Sequence, residues 1–142
     1  MLHLPQVFQP DPFAVIDSSI QPLTKHDPAL VGLVDVLVAE NGVATLGALY
    51  DSLRAAHDGF HLIRNQPRAG VLVRDYLDDE MNEIFAKIYY VGSRMKDVAC
   101  PNKDGNVYCR VLTDCAREMG ADEAEILAVH DAAIRRVEAD AS

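Results

Sequence analysis

The sequence predicts an all-α, single-domain bundle of five or six helices, with room for a short extended segment near 71–74. Three observations carry that reading. Leu77, Met81, Ile84, Ile88, Val91 and Met95 step by 4, 3, 4, 3 and 4 residues, an unbroken helical stripe. Start and stop residues bracket most of the remaining apolar segments. Of the 142 residues 49% are hydrophobic but only 6% aromatic, with no Trp, so Leu, Val, Ile and Ala must fill the core. A chain of this length forms one domain and buries roughly 68–70% of its unfolded surface.

Residues 1–26 contain Pro5, Pro10, Pro12 and Pro22. Each removes a backbone donor and fixes its own φ, so this segment is expected to be an irregular arm. Phe8, Phe13, Val15 and Ile16 give it apolar groups with which to pack on the domain formed by residues 27–142. Asp27-Pro28 then reads as an N-cap followed by proline at the first helical position, and Asn41-Gly42 as the stop. Ala29–Ala39 between them is apolar apart from Gly32 and Asp35, the pattern of a buried helix. Asp35 is expected either to meet an Arg or a helix N-terminus, or to face water.

A second helix is expected from about Thr45 to His57, with Leu46, Leu49, Tyr50 and Leu53 on one face and Gly59 just beyond. Phe60–Asn65 forms a short third helix in this reading. Pro67 and Gly70 punctuate the chain, leaving Val71-Leu72-Val73 for an extended piece. The 77–95 helix has Asp78, Asp79 and Glu80 near its start and Arg94 and Lys96 at its end, complementing the helix dipole, and Glu83 and Lys87 stand i,i+4. Tyr108, Leu112, Cys115 and Met119 repeat at helical spacing up to Gly120. The last helix runs from about Asp122 to Glu138, opened by Asp122 and Glu125 as a capping box.

Charge is unevenly distributed. Thirteen Lys and Arg face 22 Asp and Glu, a net charge of −9 and a pI of about 4.8. Within 54–74, however, Arg54, Arg64, Arg68 and Arg74 face only Asp58. The overall field repels polyanions at distance, which disfavours general nucleic-acid or anionic-membrane binding and suits docking onto a basic protein. No segment of the sequence is apolar enough to cross a membrane. Cys100, Cys109 and Cys115 are an odd count without a C-x-x-C pair, so a soluble cytoplasmic protein in a reducing compartment is expected.

The Arg-bearing segment supplies the candidate binding residues Arg54, His61, Arg64, Asn65, Arg68 and Arg74. Helices at 28–40, 45–57 and 60–66, followed by a strand at 71–74, give an element order like that of a winged helix. There His61, Arg64 and Asn65 would face a DNA groove and Arg68 and Arg74 the phosphates. The bland alternative is that Asp75, Asp78, Asp79 and Glu80 neutralise these arginines in cis. His57 and His61 would share a face if one helix ran through Gly59. Zinc, however, needs three or four converging ligands, and only the distant His130 offers a third. No cofactor is implied.

For Cys100–Cys109, a hairpin turned at Asp104-Gly105 would set the two thiols opposite each other. Pro101 would then occupy a donating position, which opposes that pairing. Aligned as an EF-hand, the loop would need acids where Cys100 and Val111 stand, so calcium fails. A helix–helix connection capped by Asp104 or Asn106 is the expected form. His130 beside Asp131 reads as a core-edge histidine. There is no nucleophile elbow, P-loop or dinucleotide fingerprint, and no catalytic residue is assigned.

The function these observations favour is macromolecular binding by a small acidic protein, as a regulator, adaptor or inhibitor. The partner is most simply a protein, basic or a second copy of this chain. The alternative is a helix-turn-helix-like DNA-binding regulator, and a metal-binding helical protein ranks third.

Overall fold

The computed structural model describes residues 11–17 and 27–141. Its helices are α1 (Pro28–Ala39), α2 (Val43–Arg64), α3 (Gly70–Arg94), α4 (Gly105–Glu118) and α5 (Glu123–Ala141). Single 3-10 turns at Met95–Asp97 and Asn102–Asp104 join α3 to α4, and the described residues include no strand. The all-α expectation is met, with five α-helices among the described residues.

Two expected boundaries fail, for one reason. Gly59 does not end a helix, and 45–57 and 60–65 are parts of the single 22-residue α2. Residues 71–74 are not extended but form the first turn of α3. Once a helix is nucleated, each further residue adds a hydrogen bond at small cost, so a glycine penalty of about 1 kcal/mol or the two β-branched residues Val71 and Val73 do not stop it. α2 and α3 pack antiparallel along their lengths, and that contact supports residues the local sequence leaves undecided. Gly70, at φ +74°, takes the left-handed conformation needed to turn the chain into α3.

α1 begins as expected. The Asp27 carboxylate accepts the Leu30 N–H at 2.9 Å and meets Lys87 Nζ at 3.1 Å. The Leu30 bond first, then Lys87, holds its carboxyl below the usual carboxylate range. The ion pair of Lys87 is therefore with Asp27 on α1, not with Glu83 on its own helix. Asp35 meets Arg94 Nη1 at 2.7 Å, so α1 is tied to α3 at both ends. The Asp122–Glu125 capping box forms reciprocally, with bonds of 3.0 and 2.8 Å.

The core lies at one end of the α2–α3 pair. Leu30 and Val34 of α1, Leu46 and Tyr50 of α2, and Ile88 to Val91 of α3 converge there with Tyr108, Leu112 and Cys115 of α4 and Val129 of α5. Phe13 and Ile16 from the arm are buried in the same cluster, and the Asp17 N–H bonds the Tyr89 hydroxyl at 2.9 Å. Phe8 and most of the proline-rich arm lie outside the described residues. Beyond Tyr50 on α2 and before Ile88 on α3, no fully buried side chain joins this core. Leu77 is buried, but outside that cluster.

The expected helix–helix connection forms between α3 and α4, and the alternative hairpin that would oppose Cys100 and Cys109 does not. Cys109 lies within α4, Cys100 is exposed in the loop before it, and all three thiols are free. Asp104 takes the cap position of α4 without a side-chain bond to it. Burial foremost, then the Glu118 carboxylate, pushes the Cys115 thiol up to about 12. Asp140 beside it raises the Cys100 thiol as well, but Cys100 is the exposed one of the three, so at about pH 8 alkylation is expected to modify it first. Cys115 should remain unmodified until denaturant is added, as mass spectrometry of the alkylated peptides will show. Modification of Cys115 in the native protein would contradict this packing.

Candidate functional site at the tip of the hairpin

Nine large hydrophobic residues are exposed among those described, and six of them lie between 62 and 76: Leu62, Ile63, Val71, Leu72, Val73 and Tyr76. This is the tip of the α2–α3 hairpin. Leu72 is 86% exposed and Val71 71%. Burying such a side chain contributes about 1.5–3 kcal/mol, so the isolated chain leaves a concentrated apolar patch without that stabilisation.

The local sequence explains why these groups face water. Three consecutive apolar residues in a helix span about 200° of its circumference, so Val71, Leu72 and Val73 cannot all face α2. The inward row on α3 is instead Leu77, Met81, Ile84 and Ile88, the stripe legible in the sequence, all buried or half-buried. On α2 the inward row is Leu46, Tyr50, Leu53, His57, Phe60 and Arg64.

The four arginines divide between fold and surface. Arg54 is held by α4, with Nη1 3.5 Å from Asp114 and Nη2 3.1 Å from Glu118. Arg64 pairs with Asp78 across the hairpin, Nε to Oδ1 at 2.8 Å and Nη2 to Oδ2 at 3.4 Å. That hydrogen bond draws the Asp78 carboxyl below its ordinary range and raises Arg64 above its own. Neutralisation in cis thus operates at Arg64. Arg68 and Arg74 have no ion pair among the described residues, and the Nε of Arg74 is buried without a hydrogen-bond partner.

The remaining sequence candidates are also placed. Asn65 caps α2 and reaches His61 Nε2 at 3.1 Å. His57 packs its ring 6.3 Å from that of Phe85 and lines a cleft of about 140 Å³ with Arg54, Asp58, Ile88 and Glu118. Pockets that hold small molecules measure about 300–1,000 Å³, so this cleft is undersized. The continuous α2 does place His57 and His61 one turn apart. No group of three or more His, Cys, Asp or Glu side chains suited to a metal occurs among the described residues.

The winged-helix-like element order does not form, because its second and third helices are one and its strand is helical. His61, Arg64 and Asn65 therefore end a long helix instead of forming a separate recognition helix. Sequence reasoning found the arginines of the tip but missed Leu62, Ile63, Leu72 and Tyr76. The available signal was the Val71-Leu72-Val73 run, which no single helical face can bury.

No helix among the described residues is long and apolar enough to cross a membrane. No family model, curated protein or solved structure matches this chain.

Proposed function

We propose that this chain works by docking another polypeptide on the tip of its α2–α3 hairpin, as a regulator, adaptor or inhibitor in a reducing, cytoplasmic compartment. The concentration of six of the nine exposed large hydrophobics on that tip carries the reading. Apolar side chains ringed by polar ones are the composition of a protein interface, with Tyr and Arg favoured as anchors. The tip offers Tyr76, Arg68 and Arg74. The three free thiols support the reducing compartment.

Local charge at the tip is opposite to the charge of the whole chain. Net charge alone suggests a basic partner, whereas Arg68 and Arg74 ask for an acidic and apolar one.

A photo-reactive residue at position 72, irradiated in extract of the source cells, is expected to give covalent adducts with one or a few polypeptides. The same residue at Asp131, exposed on α5, should give none. Equal labelling from both positions would overturn the proposal.

The unpaired Arg68 and Arg74 favour one second reading, a nucleic-acid surface. Fluorescence anisotropy of duplex DNA across a salt series separates the two. Docking of a polypeptide predicts no binding even at low salt. Binding that weakens steeply with salt and disappears in Arg68→Ala would establish the second reading instead.

A further inference from the structure

We infer that the occupant of the hairpin tip is a second copy of this chain, its hairpin lying antiparallel against the first to form a four-helix interface. This rests on the tip being a protein-docking surface, and it names the partner. Ser52, Ala56, Gly59 and Ile63 step by 4, 3 and 4 along α2, and Leu72, Tyr76, Asp79 and Glu83 do the same along α3. All eight are exposed. Counted at about 100° per residue, each row lies to the same hand of its helix's inward row. In an antiparallel pair this sets both rows on one side of the hairpin.

That side is divided along its length. Ile63, Leu72 and Tyr76 make the tip half apolar, with unpaired Arg68 at the end. The half nearer the core has small groups on α2, and no atom lies within 4 Å of a Cβ built at Gly59. On α3 the same half carries acids. Between Asp75 and Glu83 there are five acidic residues and no base, and among these only Asp78 is neutralised by Arg64.

A two-fold axis across the hairpin superposes the tip half of one copy on the other half of its partner. With α2 lying on the partner's α2 and α3 on its α3, Ile63 faces the small groups at Gly59 and Ala56, while the Leu72–Tyr76 end of α3, with Arg68 beyond it, faces Asp79 and Glu83, and each contact forms twice. The tip's demand for an acidic, small-residue counterpart is answered by the chain's own hairpin. The repulsion between two chains of net charge −9 does not prevent this, because physiological salt screens charges more than about 8 Å apart.

Sedimentation equilibrium at physiological salt, from low-micromolar to submillimolar protein, tests the inference. The native chain should rise from 15.6 kDa towards twice that mass. Arg68→Glu and Glu83→Arg should each remain monomeric, and an equimolar mixture of the two should recover the dimer by pairing Glu at 68 with Arg at 83. Asp131→Arg, which changes net charge as much as Glu83→Arg, should dimerise normally. These positions are on the surface, and far-UV circular dichroism confirms that each variant is folded. A native chain monomeric throughout, or a mixture that stays monomeric, overturns the inference. The polypeptide-docking reading fails separately, if photo-labelling from position 72 shows no preference over position 131.

Discussion

Gly92→Val is expected to destabilise the fold by about 3 kcal/mol, the upper part of the range for overpacked cores. Gly92 lies in the last turns of α3 where that helix crosses α2 and α4. A Cβ built there meets Cys115 Sγ at 2.8 Å, Tyr50 Cε2 at 2.9 Å and Cys115 Cβ at 3.0 Å. These side chains are themselves fully buried, Tyr50 at 0% and Cys115 at 1% exposure, so neither has space to retreat. Alanine alone should cost about 1–2 kcal/mol despite its higher helix propensity. Adding Cys115→Ala removes the Sγ contact, leaving Tyr50 Cε2 and the Cβ at position 115, so the double variant should lose less than the sum of the single losses. Urea unfolding measures all of these. A Gly92→Ala protein as stable as the native one would show that the three helices do not meet this closely.

Tyr108→Ala is expected to cost about 3–5 kcal/mol, as for other fully buried aromatic side chains. The ring has no exposed surface, and its hydroxyl accepts a bond from Arg136 Nη1 at 2.9 Å. Arg136 also donates to the Lys96 carbonyl and lies 4.7 Å from the centre of the Phe13 ring. One side chain on α5 thereby joins α4, the turn after α3 and the N-terminal arm. Tyr108→Phe keeps the packing and removes only the hydroxyl, so its cost should be about 1–2 kcal/mol. Near-equal losses for Ala and Phe would mean that the hydrogen bond, not the burial of the ring, dominates at this position.

Both substitutions lie in the half of the molecule where helices converge, and the contrast with the tip has a practical consequence. Leu72 contributes little to the core, so changes there should alter binding while leaving the fold of the monomer intact. Dimerisation is the exception, since loss of a bound partner lowers apparent stability by mass action.

Much of the helical framework was legible in the residues. The Asp27-Pro28 cap, the 77–95 stripe and the Asp122–Glu125 box each rest on interactions within a few residues of one another, and each is present. The failures occurred at Gly59 and at Val71-Leu72-Val73, where local preference is weak and the outcome depends on a helix distant in sequence. The arginines followed the same division. Their clustering was visible, but Arg54 is held by Asp114 and Glu118 and Arg64 by Asp78, pairings that spacing along the chain does not encode.

By itself, then, the sequence determined an all-α chain, the inward row of α3 and the uneven charge, because periodicity, caps and composition act over one or two helical turns. Only the tertiary structure decided that α2 and α3 run unbroken past the core, and that Leu62, Ile63, Leu72 and Tyr76 stand uncovered at their tip. Whether an apolar side chain is core or surface depends on how far its neighbours extend, a property of the packed helices and not of any one of them.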